Sequence, residues 1–295
     1  MSLSGGSQYG AGRKKARGNM DRILSSPPHP KLSHLVRAYA QRQVHDEQAT
    51  VQPVVASLEQ VLQFEFGDPL TVEYRNGLIT KTGPVSLVGA HSFARASIRF
   101  TGKIESFAVF FQPFGMWQLF GLPNRELIDR AYDASDVFAG NHWSRLWIRM
   151  AEAGSFLQRV AIINDFLLVE AKAALSQTPI VSAATHLFRN RGTGSIVRAA
   201  DGAGLSLRQF ERRFLTEVGL SPKRVARIAR FQMALDAKVR KPEKSWMRIA
   251  HEFGYHDQMH MFHDFSELGA ASPGRLLAQI GDGRPSALAA SELQA

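Results

Sequence analysis

SIVRAADGAGLSLRQFERRFLTEVGLSP, residues 195–222, and SWMRIAHEFGYHDQMHMFHDFSELGAASP, residues 245–273, are one unit written twice. Ser195, Ala200 and Gly204 recur as Ser245, Ala250 and Gly254; Phe214, Ser221 and Pro222 recur one residue further out as Phe265, Ser272 and Pro273. Helical spacing in the first copy puts Leu207, Phe210 and Phe214 on one face and Arg208, Glu211, Arg212 and Leu215 on the other. In the second, Gln258, Met261, Phe265 and Leu268 fall inward while Met259, Phe262, His263 and Ser266 fall outward. Each copy therefore predicts a helix, a turn at its glycine and a second helix, which is a helix-turn-helix. Gly204 and Gly254 supply the positive φ that ends the first helix, and the alanine ahead of each turn lets the two helices approach closely. Ser195, Ser206 and Ser245 stand at predicted helix N-termini, where a hydroxyl caps the helix and the free N–H groups face phosphate. His256 is expected to open the last of these helices.

Two such units joined by a helix make the last third of the chain resemble the AraC/XylS family of transcription regulators. The resemblance is carried by ADGAGLS (200–206), FERRF (210–214), GLSP (219–222), RFQMAL (230–235), IAHEFG (249–254), YHDQMH (255–260), Phe265 and Ser272-Pro273. The sequence departs from the family at Ala199, where Leu is usual, at Met261 for an aromatic, at His263 for Arg and at Ala270 for Gly. The resemblance implies base contacts from Arg208, Glu211 and Arg212, and in the second copy from Gln258, Met259, Phe262 and His263. Arginine is the commonest reader of guanine edges, whereas Met and Phe offer only contact with a thymine methyl. DNA-backbone contacts are expected from Ser195, Ser206, Gln209, Lys223, Arg224, Arg227, Lys244, Ser245 and His260, with Lys241 nearby. A rigid helix near 225–239 is expected to hold the two reading helices about one helical turn of DNA, roughly 34 Å, apart.

Charge is distributed to match. Residues 1–22 hold five Lys/Arg against one Asp, residues 23–179 fourteen of each sign, and residues 180–295 seventeen Lys/Arg against eleven Asp/Glu. A basic tail and a basic C-terminal part flank a neutral middle, and basic charge coinciding with a tandem helix-turn-helix points to nucleic acid. With no cysteine there is no disulfide frame and no thiolate chemistry. The N-terminal residues lack an apolar signal region, and no apolar run reaches membrane-spanning length, so a cytoplasmic protein is expected.

The Gly/Ser-rich, basic segment ahead of residue 28 reads as a disordered tail. Leu32, Leu35, Val36 and Tyr39 have helical spacing over 31–45. From Val51 to Gln112 the pattern turns to short β-rich runs: 62–66, 72–74 followed by the hairpin signal Asn76-Gly77, 85–88, 94–100 and 107–112. Six or seven such strands suggest a small barrel or sandwich. A short apolar helix is expected within 113–121, then helices near 140–152 and 155–176, the latter with a stripe of Phe156, Val160, Ile163, Leu167 and Leu168. This part is similar to the cupin-like sensor domains that precede AraC-type DNA-binding units, and residues 155–176 are the candidate dimerisation helix. The expected fold is therefore α+β and multidomain. A basic tail (1–27) precedes a β-rich cupin-like barrel with flanking helices (28–176); a linker (177–194), an all-α tandem helix-turn-helix domain with its linker helix (195–281) and a tail (282–295) follow.

Enzymatic motifs are missing. No nucleophile elbow, P-loop or dinucleotide fingerprint occurs. The expected barrel offers His91 alone, without the paired histidines of a metal-binding cupin. His256, His260 and His263 have chelating spacing, but the register puts them beside the DNA face, so no metal, cofactor or enzymatic activity is expected. Phe107, Phe110, Phe111, Phe114, Trp117 and Phe120 are expected to fill a core, with a pocket elsewhere in the domain. The resemblance implies double-stranded DNA, a homodimer, RNA polymerase and an unidentified small-molecule effector as partners, and no membrane. The alternative is a ligand-independent DNA-binding dimer whose N-terminal domain only oligomerises; an enzyme with an appended binding module is more distant.

Overall fold

A computed structural model of the protein describes residues 22–113, 115–174, 178–190 and 192–280. Most of the two expected tails lies outside these residues. Eight strands form one antiparallel sheet: β1 (Arg22–Ser26), β2 (Val36–Val54), β3 (Val61–Glu65), β4 (Thr71–Tyr74), β5 (Ile79–Lys81), β6 (Val85–Val88), β7 (Ala96–Phe111) and β8 (Ala131–Asp133). The order is β1-β2-β7-β3-β6-β8, with the β4–β5 hairpin attached to β7. β2 and β7 are the spine, and all eight strands send residues to one cavity, so the sheet curls around it.

Alternation along the strands divides the two faces. Phe107, Val109 and Phe111 of β7, Leu62 and Phe64 of β3, and Val85 and Leu87 of β6 pack into a core with the helices. Their neighbours Ser106, Ala108, Phe110, Val61, Gln63, Ser86 and Val88 face the cavity. The helices on the packed face are α1 (Gly115–Phe120), α2 (Asn124–Leu127), α3 (Ala134–Val137), α4 (His142–Ala151) and α5 (Phe156–Glu170). Of the six aromatics expected in a core, Phe107 and Phe111 are buried there and Phe120 packs against them, whereas Phe110 lines the cavity. Trp117 packs instead against the C-terminal core, and Phe114 lies outside the described residues. The Asn76-Gly77 hairpin forms as its sequence demands. Gly77 takes φ 86°, and its amide donates to the Tyr74 carbonyl at 2.9 Å.

Three expectations change. Residues 22–26, expected in the tail, pair with β2. The helix expected over 31–45 is a short 3-10 turn at Pro30–Leu32 followed by β2. A bulge between Val36 and Ala38 inserts one residue into the strand, so Val36 and Tyr39 reach the same core with a helix-like separation of three. The linker expected over 177–194 contains a helix, α6 (Pro179–Arg189), whose Ile180, Val181, Ala184 and Leu187 are buried in the C-terminal core. Thr178 caps it by accepting from the Val181 amide, and Pro179 occupies the first turn, where its missing N–H costs nothing.

The C-terminal helices continue as α7 (Ile196–Gly202), α8 (Leu207–Val218), α9 (Pro222–Arg240), α10 (Trp246–Glu252), α11 (Gln258–Leu268) and α12 (Pro273–Ile280). Their core is centred on Phe210, Phe214, Phe231 and Phe265, the last two meeting edge to face with centroids 4.9 Å apart. Val55, Ala56 and Leu58 from the segment after β2 enter this same core, so the two halves share apolar surface. No helix among the described residues is long and apolar enough to cross a membrane.

Candidate nucleic-acid interface

The repeat in sequence is a repeat in hydrogen bonds. Leu205 donates its amide to the Ala200 carbonyl at 3.0 Å, and fifty residues on Tyr255 donates to Ala250 at 2.9 Å. Between each pair the glycine is left-handed, Gly204 at φ 66° and Gly254 at φ 68°. This six-to-one closure is how a helix ends on a positive-φ residue. Ala200 and Ala250 are buried where the paired helices meet.

Caps fix where each helix starts. Ser195 and Ser245 accept from the amides of Arg198 and Arg248, and Ser206 with Gln209 forms a reciprocal capping box. Asp257, not His256, caps α11 by accepting from the His260 amide at 2.7 Å. That bond, reinforced by His256, holds its carboxyl below the usual range. The phase of α8 then follows. Phe210, Phe214 and Val218 point into the core, and Arg208, Glu211, Arg212 and Leu215 are exposed. Leu207, expected inward, is 43% exposed because it sits at the first turn, ahead of the seam.

On α11, Met261, Phe265 and Leu268 are buried, and Met259 (73% exposed), His260, His263 and Ser266 face out. Gln258 is half-buried at the helix start. Phe262 departs from the expected outward face: it is half-buried, with its ring perpendicular to Trp246 at 6.2 Å.

The expected backbone contacts divide. Ser195, Ser206, Gln209, Lys223, Ser245 and His260 are exposed, as is Lys241. Arg224 and Arg227 are not free cations. Arg227 donates to Asp264 at 2.6 Å and to Glu267 at 2.6 Å; Arg224 donates to Glu267 and, at 2.6 Å, to the carbonyl of Ser92. The two guanidiniums hold Glu267 down to about 2. Asp264, which offers nothing to a reading of exposed faces, is fully buried and ties α11 to α9. His263 joins Asp264 and Glu267 in a cluster of metal-type donors, but Arg227 already binds both carboxylates. Lys244 is paired with Glu252.

Sequence reasoning passed over Arg198 and Arg248. They occupy the same position of α7 and α10, are exposed, and have no side-chain partner among the described residues. The fifty-residue repeat was the signal that could have found them.

Two sequence families match the chain, a helix-turn-helix domain over residues 199–279 and a domain of unknown function, DUF6597, over residues 25–133. No curated protein matches. Among solved structures, ToxT from Vibrio cholerae bound to an unsaturated fatty acid is similar, with 10% identity and a TM-score of 0.47 over 90% of this chain and 97% of that one. The AraC-like transcriptional activator CuxR is similar at 13% identity, with a TM-score of 0.32 over 70% of this chain and 84% of that one.

Proposed function

We propose that the chain is a DNA-binding transcription regulator of the AraC/XylS type, whose C-terminal helix-turn-helix pair reads double-stranded DNA sequence-specifically through the outward faces of α8 and α11. The observation that carries this is the duplicated turn, with Leu205 closing on Ala200 and Tyr255 on Ala250, which presents both second helices alike. The first helices of such units cross the DNA backbone while the second enter the major groove. Arg208, Glu211 and Arg212 then address base edges with directional hydrogen bonds, and Met259 and His263 address the next groove. Phe262 contributes by bracing α11 against Trp246 rather than by touching a base. We assign residues 178–280 to this part and residues 22–173 to a regulatory part. The resemblance to AraC/XylS regulators brings a homodimer and RNA polymerase into the proposal as partners.

Arg198, Lys223, Lys241 and Arg248 are the exposed cations that supply phosphate contact; Arg224, Arg227 and Lys244 stay in their ion pairs. Four such contacts imply that affinity falls about a hundredfold between ~50 and ~200 mM salt. Selection of full-length protein on a randomised duplex library, then titration of the selected DNA at those two salt concentrations, checks this. Affinity indifferent to salt, with no enriched sequence, rules the DNA-reading function out.

Control by a small molecule is supported by the cavity of about 890 Å³ inside the curled sheet. That volume lies in the range of ligand sites. Its wall is mixed: Phe100 carries the Arg42 guanidinium 4.3 Å over its ring and Tyr74 carries that of Arg95 at 4.9 Å, beside apolar Val72, Ile98 and Phe110. A ligand seated there raises the melting temperature of the full chain by mass action.

A further inference from the structure

Five consecutive residues, Ala56–Gln60, tie the regulatory part to both reading helices and to the helix between them. The Ala56 amide donates to the carbonyl of Leu268, the last residue of α11, at 2.9 Å. The Leu58 amide donates to Gln232 Oε1 of α9 at 3.1 Å, and Gln232 Nε2 donates back to Ser57 Oγ at 3.1 Å. Gln60 Nε2 donates to Asn124 Oδ1 at 2.8 Å, and Asn124 Nδ2 donates to the carbonyl of Glu217 at 2.8 Å. Glu217 lies in the last turn of α8, so both reading helices are held by their C-terminal carbonyls, the groups a helix leaves unsatisfied.

These ties are buried and close-packed. Asn124 is 1% exposed and Gln60 2%, so breaking either bond strands a polar group away from water. At Gly219, which ends α8 with φ 83°, an added Cβ comes within 2.8 Å of Ile128 and 2.9 Å of Arg125. The end of α8 therefore seats directly on α2 and the residue after it, leaving no slack for a tilt.

We infer that the strap Ala56–Gln60, acting through Asn124, is the positioning element that sets the separation of α8 and α11, and with it the spacing between DNA half-sites that the protein accepts. This rests on the DNA-reading function proposed above. α9 joins the two units through apolar contacts and, on the α11 side, through the pairs of Arg224 and Arg227 with Asp264 and Glu267, whereas α8 meets it through apolar side chains; the tie at the far end of each reading helix fixes the angle that these contacts leave open. The demand is strict, because one extra base pair shifts the second half-site by about 3.4 Å along the duplex and turns it by about 35°.

The test uses the full chain. Half-sites enriched by selection are placed in duplexes at the preferred spacing and at one base pair more and one fewer. The wild type should favour its spacing by about tenfold, the cost of losing one buried hydrogen bond's alignment. Asn124→Ala should compress that preference to within about threefold while leaving the sequence preference within each half-site unchanged. Gln60→Ala, which removes one bond and no contact with α8 itself, is read the same way and guards against misfolding of the first variant. If both folded variants keep the full spacing preference, the inference is overturned while DNA reading stands. If the wild type enriches no sequence, DNA reading itself has failed and the inference falls with it.

Discussion

Arg212 stands one helical turn beyond Arg208 on the exposed face of α8, and among the described residues no side chain binds either guanidinium. That freedom separates them from Arg224 and Arg227, which are just as basic in sequence but are held by Asp264 and Glu267. The phase of α8 was legible from Phe210 and Phe214 alone, because a helix presents residues three and four apart on one face. The fate of Arg224 and Arg227 was not, since their acidic partners lie about forty residues away in sequence and only folding brings them together. Arg212→Ala should therefore cost about 1–3 kcal/mol on a selected site and little on scrambled DNA. His263→Ala should cost less on the selected site, because one imidazole cannot match a guanidinium's bidentate grip. Titrating both variants against both DNAs at one salt concentration decides it. Equal losses for Arg212→Ala on the two DNAs mean that Arg212 touches only phosphate.

At the scale of elements, the tandem units were legible because glycine, cap and core residues recur at fixed spacing. What escaped was α6, although Thr178-Pro179 is a cap followed by a first-turn proline. In the sequence Thr178-Pro179 and the turn-like Arg191-Gly192-Thr193-Gly194 bracket the segment as the two ends of a linker, and that bracketing hid the helix between them. On β2 the opposite error arose, since a bulge gave a strand the apolar spacing of a helix. Periodicity reports which residues share a face, and a bulge changes faces without changing composition. The position of α6 carries a consequence for dissection. Ile180, Val181 and Leu187 are each buried, and burying such side chains stabilises by about 1.5–3 kcal/mol apiece. Their sum rivals the roughly 5–15 kcal/mol by which a domain is stable. A fragment of residues 178–281 should melt cooperatively in a thermal scan followed by circular dichroism. One of residues 195–281, cut where the linker was expected to end, should show a broad, weak transition; equal melting of the two would mean that α6 adds nothing to that core.

For the whole molecule, the contact between the halves is closed over charge. Glu59 on the strap is buried and paired with Arg37, and Asp236 on α9 is buried facing it. Loss of water pushes both carboxyls up, Asp236 to about 7, with the charge of Glu59 adding to the rise and Arg240 and Arg37 opposing it. None of this could be read from residue order, because two acids 177 positions apart carry no shared periodicity. The sign of the effect is definite. Between the unfolded value near 4 and the folded value near 7, the folded protein binds a proton at Asp236 that the unfolded chain has released. Stability from this group is fully present below about pH 4 and is lost as pH rises through about 7. His91 runs the other way. Burial lowers it to about 4, so its contribution is lost as pH falls from near 6.5. Raw stability profiles therefore mix several groups, Glu59 and Glu65 among them, and a difference between two proteins is needed. Asp236→Asn keeps the shape and removes the titration. Its melting temperature relative to the wild type should rise from pH 5 to about pH 7 and level off by pH 8, because only the wild type is forced to bury a carboxylate at the upper end. Parallel curves over that range would mean that Asp236 is solvated in the folded protein, and that the two halves are not closed against each other at α9.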